Sequence, residues 1–430
     1  MKRYITYSLL TFAMLFFALS CEDYLNKAPE ADITEKDVFG NFNSFQGFVE
    51  QMYNCIMDPD KGQAWNPYSF ADETLNNKPY NFDYGNYWGS ENYFYGKSVS
   101  VTSTNPRDRR IWEWAWYGIR AANLALAKID EEGLFEGTPE EKNHIKGQAL
   151  FFRGWFYFEI CRFWGGMPYI NRILDPTESL VTDEFKRLNF QETAKLMAQD
   201  FRAAADLLPD HWDNSQPGEA TIGHNQDRIN KFHALGYLGK SLLYAASPMI
   251  NEEATGNNAY DADLAGQAAK AFGELLALAD QTGIYKLQTW ETVTDNFWRL
   301  NNQRTGGDEC IMIPIIYDRG RVRWSALGAT VPSSFALNSG SDADVPTHNY
   351  IQNYGMANGL PIDDPNSGYN PDDPWTGREP RFYKFVVKDG DRIHRDAALD
   401  KYAELYNGGR HRSQINPPSV TGYYWKKFVP

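Results

Sequence analysis

Eight aromatic residues crowd into YNFDYGNYWGSENYFYG (80–96), set among Asn, Gly, Asp and Ser. They follow neither the two-residue period of a strand nor the 3.6-residue period of a helix, so the stretch reads as a loop. A flat ring beside amide and carboxylate groups suits a sugar. The sugar's C–H face packs on the ring, and its hydroxyls bond to Asn, Asp and Arg. The candidate ligand-contacting residues here are Tyr84, Tyr87, Trp88, Asn92 and Tyr93. Trp88 leads them, because Gly89 beside it lets backbone and ligand approach closely. A second stretch, NFWRLNNQR (296–304), adds Trp298 and Arg299, and Trp324 follows downstream. The competing reading is a loop that folds its own rings into a small satellite core.

Other chemistry is hard to find. The sequence has no H-E-x-x-H, G-x-S-x-G, P-loop or C-x-x-C motif. Its seven His are scattered, and His224 and His233 lack a metal-ligand spacing, so they read as structural or surface residues. DDPNSGYNPDDPWTG (363–377) places Asp364, Asn366 and Gly368 at alternate positions, in part like a calcium loop. Tyr369 stands where that loop needs Gly, and Trp375 where it needs Glu, so a solvated turn fits better. No pair among the 56 acids stands out as a hydrolase pair. The expectation is a binding protein rather than an enzyme, with no cofactor and no metal.

The N-terminus supplies a different kind of site. Lys2 and Arg3 precede an uncharged run from Tyr4 to Ser20, the form of a secretory signal. The run ends in A-L-S-C, which resembles a bacterial lipobox and makes Cys21 the expected lipidation site. Removing residues 1–20 takes the net charge from −14 to −16. So acidic a chain is a poor general binder of nucleic acid. The other cysteines, Cys55, Cys161 and Cys310, are too few for a disulfide framework.

Helices must position these loops. In WEWAWYGIRAANLALAKID (112–130), Trp112, Trp116, Ile119, Asn123, Leu126 and Ile129 fall at steps of three and four, one face of an amphipathic helix. The tryptophans Trp112, Trp114 and Trp116 read as core. HIKGQALFFRGWFYFEICRFWGG (144–166) is apolar nearly all round, as a buried helix would be. A third stripe runs through Phe190, Ala194, Met197, Phe201, Ala204 and Leu208. Two more helices are expected over 228–248 and 262–283. Gly236, Gly239, Ala268 and Ala269 would allow helices to approach closely. The expected fold is mainly α, with tetratricopeptide-like helical hairpins. Long irregular loops (57–107, 210–227 and 284–430) interrupt it, with strand-like runs at CIMIPIIY (310–317) and RFYKFVV (381–387).

Four stretches, in order, resemble the SusD/RagB family of Bacteroidetes outer-membrane nutrient-binding lipoproteins. They are Cys21 with EDYLNKAPEADITEKDVF, FFRGWFYFEICRFWGGMPYI (151–170), PWTGREPRFYKFVV (374–387) and TGYYWKKFVP (421–430). The third has Glu379 where the family usually has Asp. The resemblance implies a SusD-like fold with a signal peptide (1–20), a lipidated tether (21–40) and one domain (41–430). Because the sequence stops at Pro430, that domain is expected to lack the family's C-terminal helices. Glu22 and Asp23 resemble the signal that sends such lipoproteins to the outer face of the outer membrane. The implied function is capture of oligosaccharides at the cell surface by an arc of aromatics, for delivery to a SusC-type TonB-dependent transporter docked on the helical face. The alternatives are a peptide-binding RagB-type lipoprotein and, more remotely, a surface glycoside hydrolase.

Overall fold

The computed structural model describes residues 33–56, 74–75, 111–225, 228–285, 287, 289–291, 345–392, 402–414 and 418–426. Two short helices come first, α1 (Glu35–Phe39) and α2 (Phe42–Glu50). Thr34 and Asp37 cap α1 reciprocally, each side chain accepting from the other's backbone N–H. That helix falls inside the 21–40 stretch, so the end of the expected tether is helical rather than extended.

Among the described residues five long helices follow. They are α3 (Ile111–Ile129), α4 (Pro139–Trp164), α5 (Phe190–Leu207), α6 (Lys231–Ala245) and, after the short α7 (Pro248–Thr255), α8 (Ala262–Thr282). They pack in chain order: α3 on α4, α4 on α5, α5 on α6 and α6 on α8. Because α4 has a neighbour on both sides, it is buried from His144 to Cys161 except at Lys146, as its unbroken apolar sequence predicts. The predicted stripe of α5 is buried throughout, Leu208 at its C-cap included. Helix α3 buries Ala115, Ile119, Ala122, Asn123, Ala125 and Ile129. Its tryptophans are less enclosed than a core reading implies: Trp114 and Trp116 are half-buried, and Trp112, at the open start of the helix, is 36% exposed.

Two glycines set the closest approaches. A Cβ on Gly118 would lie 2.2 Å from the Phe156 ring, and one on Gly239 would lie 2.7 Å from Phe272. So α3 meets α4, and α6 meets α8, through a residue without a side chain. Ala268 faces the core as expected, but Ala269 is exposed. One residue turns a helix by about 100°, so both cannot share the buried line.

The remaining described residues build a smaller lobe of short elements. β1 (Thr74–Leu75) pairs antiparallel with β2 (Val345–Pro346), and β3 (Val386–Val387) pairs antiparallel with β4 (Tyr424–Trp425). Helices α9 (His348–Gln352) and α10 (Pro380–Phe385) accompany them. Val345, Val387, Ala403, Leu405 and Tyr424 form one small core, and Ile351, Tyr354, Phe382, Val386 and Tyr423 form another. RFYKFVV, expected as a strand, is therefore helical up to Phe385. Pro380 sits at the first helical position, where its fixed φ favours a helix, and pairing begins only at Val386, opposite Trp425. CIMIPIIY (310–317) lies outside the described residues. The fold is mainly α with a few very short strands, and no described helix is long and apolar enough to cross a membrane.

Candidate functional site

A buried ion pair lies within the helical body. Arg153 on α4 donates to both carboxylate oxygens of Asp200 on α5, at 2.7 and 2.6 Å. It also donates to Asn123 Oδ1 at 2.9 Å. Tyr169 Oη donates to the same carboxylate at 2.6 Å, and Asn123 Nδ2 donates to the carbonyls of Ile170 and Arg172. Tyr169 stacks on Tyr157, with centroids 4.1 Å apart. Burial and the neighbouring carboxylate hold the Tyr169 hydroxyl protonated, well above its ordinary pKa. These bonds fasten residues 169–172, which follow α4, against three helices. Both carboxylate oxygens accept from these donors, so this buried pair serves as a clamp.

His233 resolves similarly. Its Nδ1 lies 2.8 Å from Asn230 Oδ1 in the cap of α6, and burial pushes its pKa down to about 4. His224 is exposed. In the 363–377 turn, Asp364 Oδ1 accepts from Asn366 N at 2.7 Å, so the carboxylate serves its own turn. Among the described residues no three His, Cys, Asp or Glu side chains converge as metal ligands would.

The smaller lobe holds rings at its surface as well. Arg378 organises it from within. Its guanidinium donates to the carbonyls of Pro374, Ile351 and Tyr354 at 2.9, 2.8 and 2.6 Å. It lies over the Phe382 ring at 4.9 Å, and burial lowers its pKa from the ordinary arginine value. Next to it Tyr383 is 40% exposed, yet its hydroxyl is fixed. It accepts from Arg378 N at 3.1 Å and donates to the Trp375 carbonyl at 2.5 Å. Trp290, 45% exposed, packs against Phe385 with centroids 6.3 Å apart. Lys384 Nζ lies 5.3 Å from its ring centroid and donates to Glu291 O at 3.1 Å. Tyr402 and Tyr406 are also exposed. Rings whose positions are already fixed lose little entropy when a ligand packs on them.

Trp88, Tyr87, Tyr84, Tyr93, Asn92, Trp298, Arg299 and Trp324, and the lipidation site Cys21, all lie outside the described residues. The described flanks of the two ring-bearing stretches do meet this lobe. Leu75, before the 80–96 stretch, pairs with Val345, and Trp290, before 296–304, packs on α10. Reading the sequence alone missed Trp290, Tyr383 and Lys384. Trp290 stands close upstream of the second candidate stretch, which was the available signal. Tyr383 was hidden by the strand reading of its segment.

This arrangement, a helical array joined to an irregular lobe, is shared with known proteins. A SusD-like family model described as "Starch-binding associating with outer membrane" matches residues 23–223, and a model described as "SusD family" matches residues 308–430. The chain belongs to the SusD/RagB family. A SusD-like protein from Bacteroides fragilis NCTC 9343 has a similar fold, with a TM-score of 0.63 at 19% identity over 94% of this chain and 71% of that one. A SusD-like carbohydrate binding protein from the same strain gives 0.56 at 16% identity, over 90% and 68% of the two chains. No curated protein sequence matches this chain significantly.

Proposed function

We propose that the protein is a lipid-anchored, cell-surface glycan-binding protein that captures oligosaccharides and passes them to a SusC-type TonB-dependent transporter, without catalysis. Family membership supports this reading, as do the preset surface rings Trp290 and Tyr383 of the lobe. The lipobox at Cys21 supports an anchor in the outer membrane, and the helical body offers an extended face for the transporter.

A glycan array on the soluble form starting after Cys21 tests the reading. Binding without product release supports it, peptide binding in place of glycan binding points to a RagB-type ligand, and released sugar would make the protein a hydrolase. Trp88 is proposed as a principal ligand contact. An aromatic anchor commonly costs ~2 kcal/mol on truncation, roughly a thirtyfold loss of affinity. Trp88→Ala should therefore weaken glycan binding in calorimetry while leaving the melting temperature nearly unchanged. A large fall in melting temperature with binding retained would assign the ring to a core.

A further inference from the structure

Charge is distributed unevenly along the chain. Residues 374–430 hold eleven Lys and Arg against six Asp and Glu, a net +5, while residues 345–373 of the same lobe add four Asp and no cation, and the whole chain carries −14. Within the helical body many cations meet carboxylates. Lys128 pairs with Glu35 and Glu131, Lys146 with Asp130, and Arg202 with Glu274 and Asp206. The lobe also has two such pairs, Arg381 with Glu379 and Lys388 with Asp391. Among the described residues, two others of its cations have no carboxylate in ion-pair distance: Lys384 donates to Glu291 O, and Arg412 donates to Ser419 O. Lys426 and Arg392 are exposed, and Lys426 N donates to Phe385 O. A carbonyl orients a cation but does not cancel its charge. The Glu291 carboxyl is held below its usual range, first by its own backbone N–H and last by the field of Lys384, but forms no ion pair with that lysine.

We propose that this lobe binds an anionic oligosaccharide, one bearing carboxylate or sulfate groups, with a sugar ring on Trp290 and an acidic group on Lys384. The inference rests on the glycan-binding reading above and narrows it to a substrate class. An uncharged sugar can pack on the indole and hydrogen-bond, but it cannot answer the charge of an ammonium held 5.3 Å from the ring centroid. A carboxylate or sulfate forms charge-assisted bonds there, roughly twice as strong as neutral ones. Residues 1–373 are acidic and repel a polyanion, so attraction is confined to the cations of residues 374–430.

Calorimetry with three probes tests this on the chain starting after Cys21: a galacturonic acid hexasaccharide, a heparin hexasaccharide and maltohexaose. At least one acidic probe should bind roughly tenfold more tightly than maltohexaose and lose affinity as salt is raised. Which one binds distinguishes carboxylate from sulfate recognition. Lys384→Gln should weaken that probe about fivefold without lowering the melting temperature, and Lys384→Arg should keep the affinity. Tight, salt-independent binding of maltohexaose with no response to Lys384→Gln would overturn the inference and leave glycan binding standing. Failure of every glycan, array included, would remove both.

Discussion

Two buried arginines show how the two parts of this molecule are held together. Arg153, in the helical body, faces a carboxylate. Arg378, in the lobe, faces four main-chain carbonyls, with no carboxylate in ion-pair distance among the described residues. The difference follows from secondary structure. In a helix the backbone satisfies itself, so side-chain charge is left for joining helices to each other and to the segment after α4. The lobe has two-residue strands and short helices, so many carbonyls lack a ladder partner, and a five-donor guanidinium supplies what regular structure would have supplied. The same economy of regular structure leaves the lobe's rings at the surface, where a ligand can reach them.

The largest test of that contrast is to remove Arg153. Arg153→Leu should destabilise the fold by about 3–5 kcal/mol, because it leaves the Asp200 carboxylate buried without its counter-charge. Pairing it with Asp200→Leu should recover much of the loss in urea unfolding. If the double variant is no better than the single one, the geometry of the clamp matters more than its charge.

Acid should separate the two parts next. His233 is buried and neutral, with a folded pKa of about 4 against an ordinary 6.5, and burial also lowers that of His144. A depressed histidine pKa means the unfolded chain takes up protons first as pH falls. Stability from this source is complete above pH ~6.5 and declines from there toward pH ~4, by roughly 3 kcal/mol for His233 at the low end. His233→Gln, which can still accept in the helix cap, should flatten most of that decline in urea midpoints measured across the window. An unchanged slope would place the acid sensitivity elsewhere.

The smallest effect is expected in the lobe. Arg378→Met keeps the apolar stem but strips donors from Pro374, Ile351 and Tyr354, at a local cost of about 2 kcal/mol. Hydrogen exchange should rise over 351–356, while amides of α4 and α5 keep their protection. Uniformly faster exchange through the helices would mean the lobe and the helical body unfold as one unit.

The candidate site was only partly legible in the sequence. The rings of 80–96 stood out because their spacing fits no element, whereas Tyr383 sat in a segment whose apolar residues imitate a strand. Trp290 stood just upstream of a candidate stretch, but its exposure depends on how α10 packs beside it. The G-R-E-P-R segment was recognisable as a family feature, but nothing in its spacing showed that Arg378 is an internal brace while Arg381 lies at the surface.

What the sequence determined by itself was local. The apolar stripes of α3 and α5, the all-round apolar run of α4 and the caps at Thr34, Thr138 and Asn189 each depend on residues within a turn or two of one another. Tertiary structure alone decided the pairing of Leu75 with Val345, the meeting of Arg153 with Asp200 and the carbonyls that receive Arg378. These join residues far apart in the chain, and their energies exist only after packing has excluded water and fixed the distances.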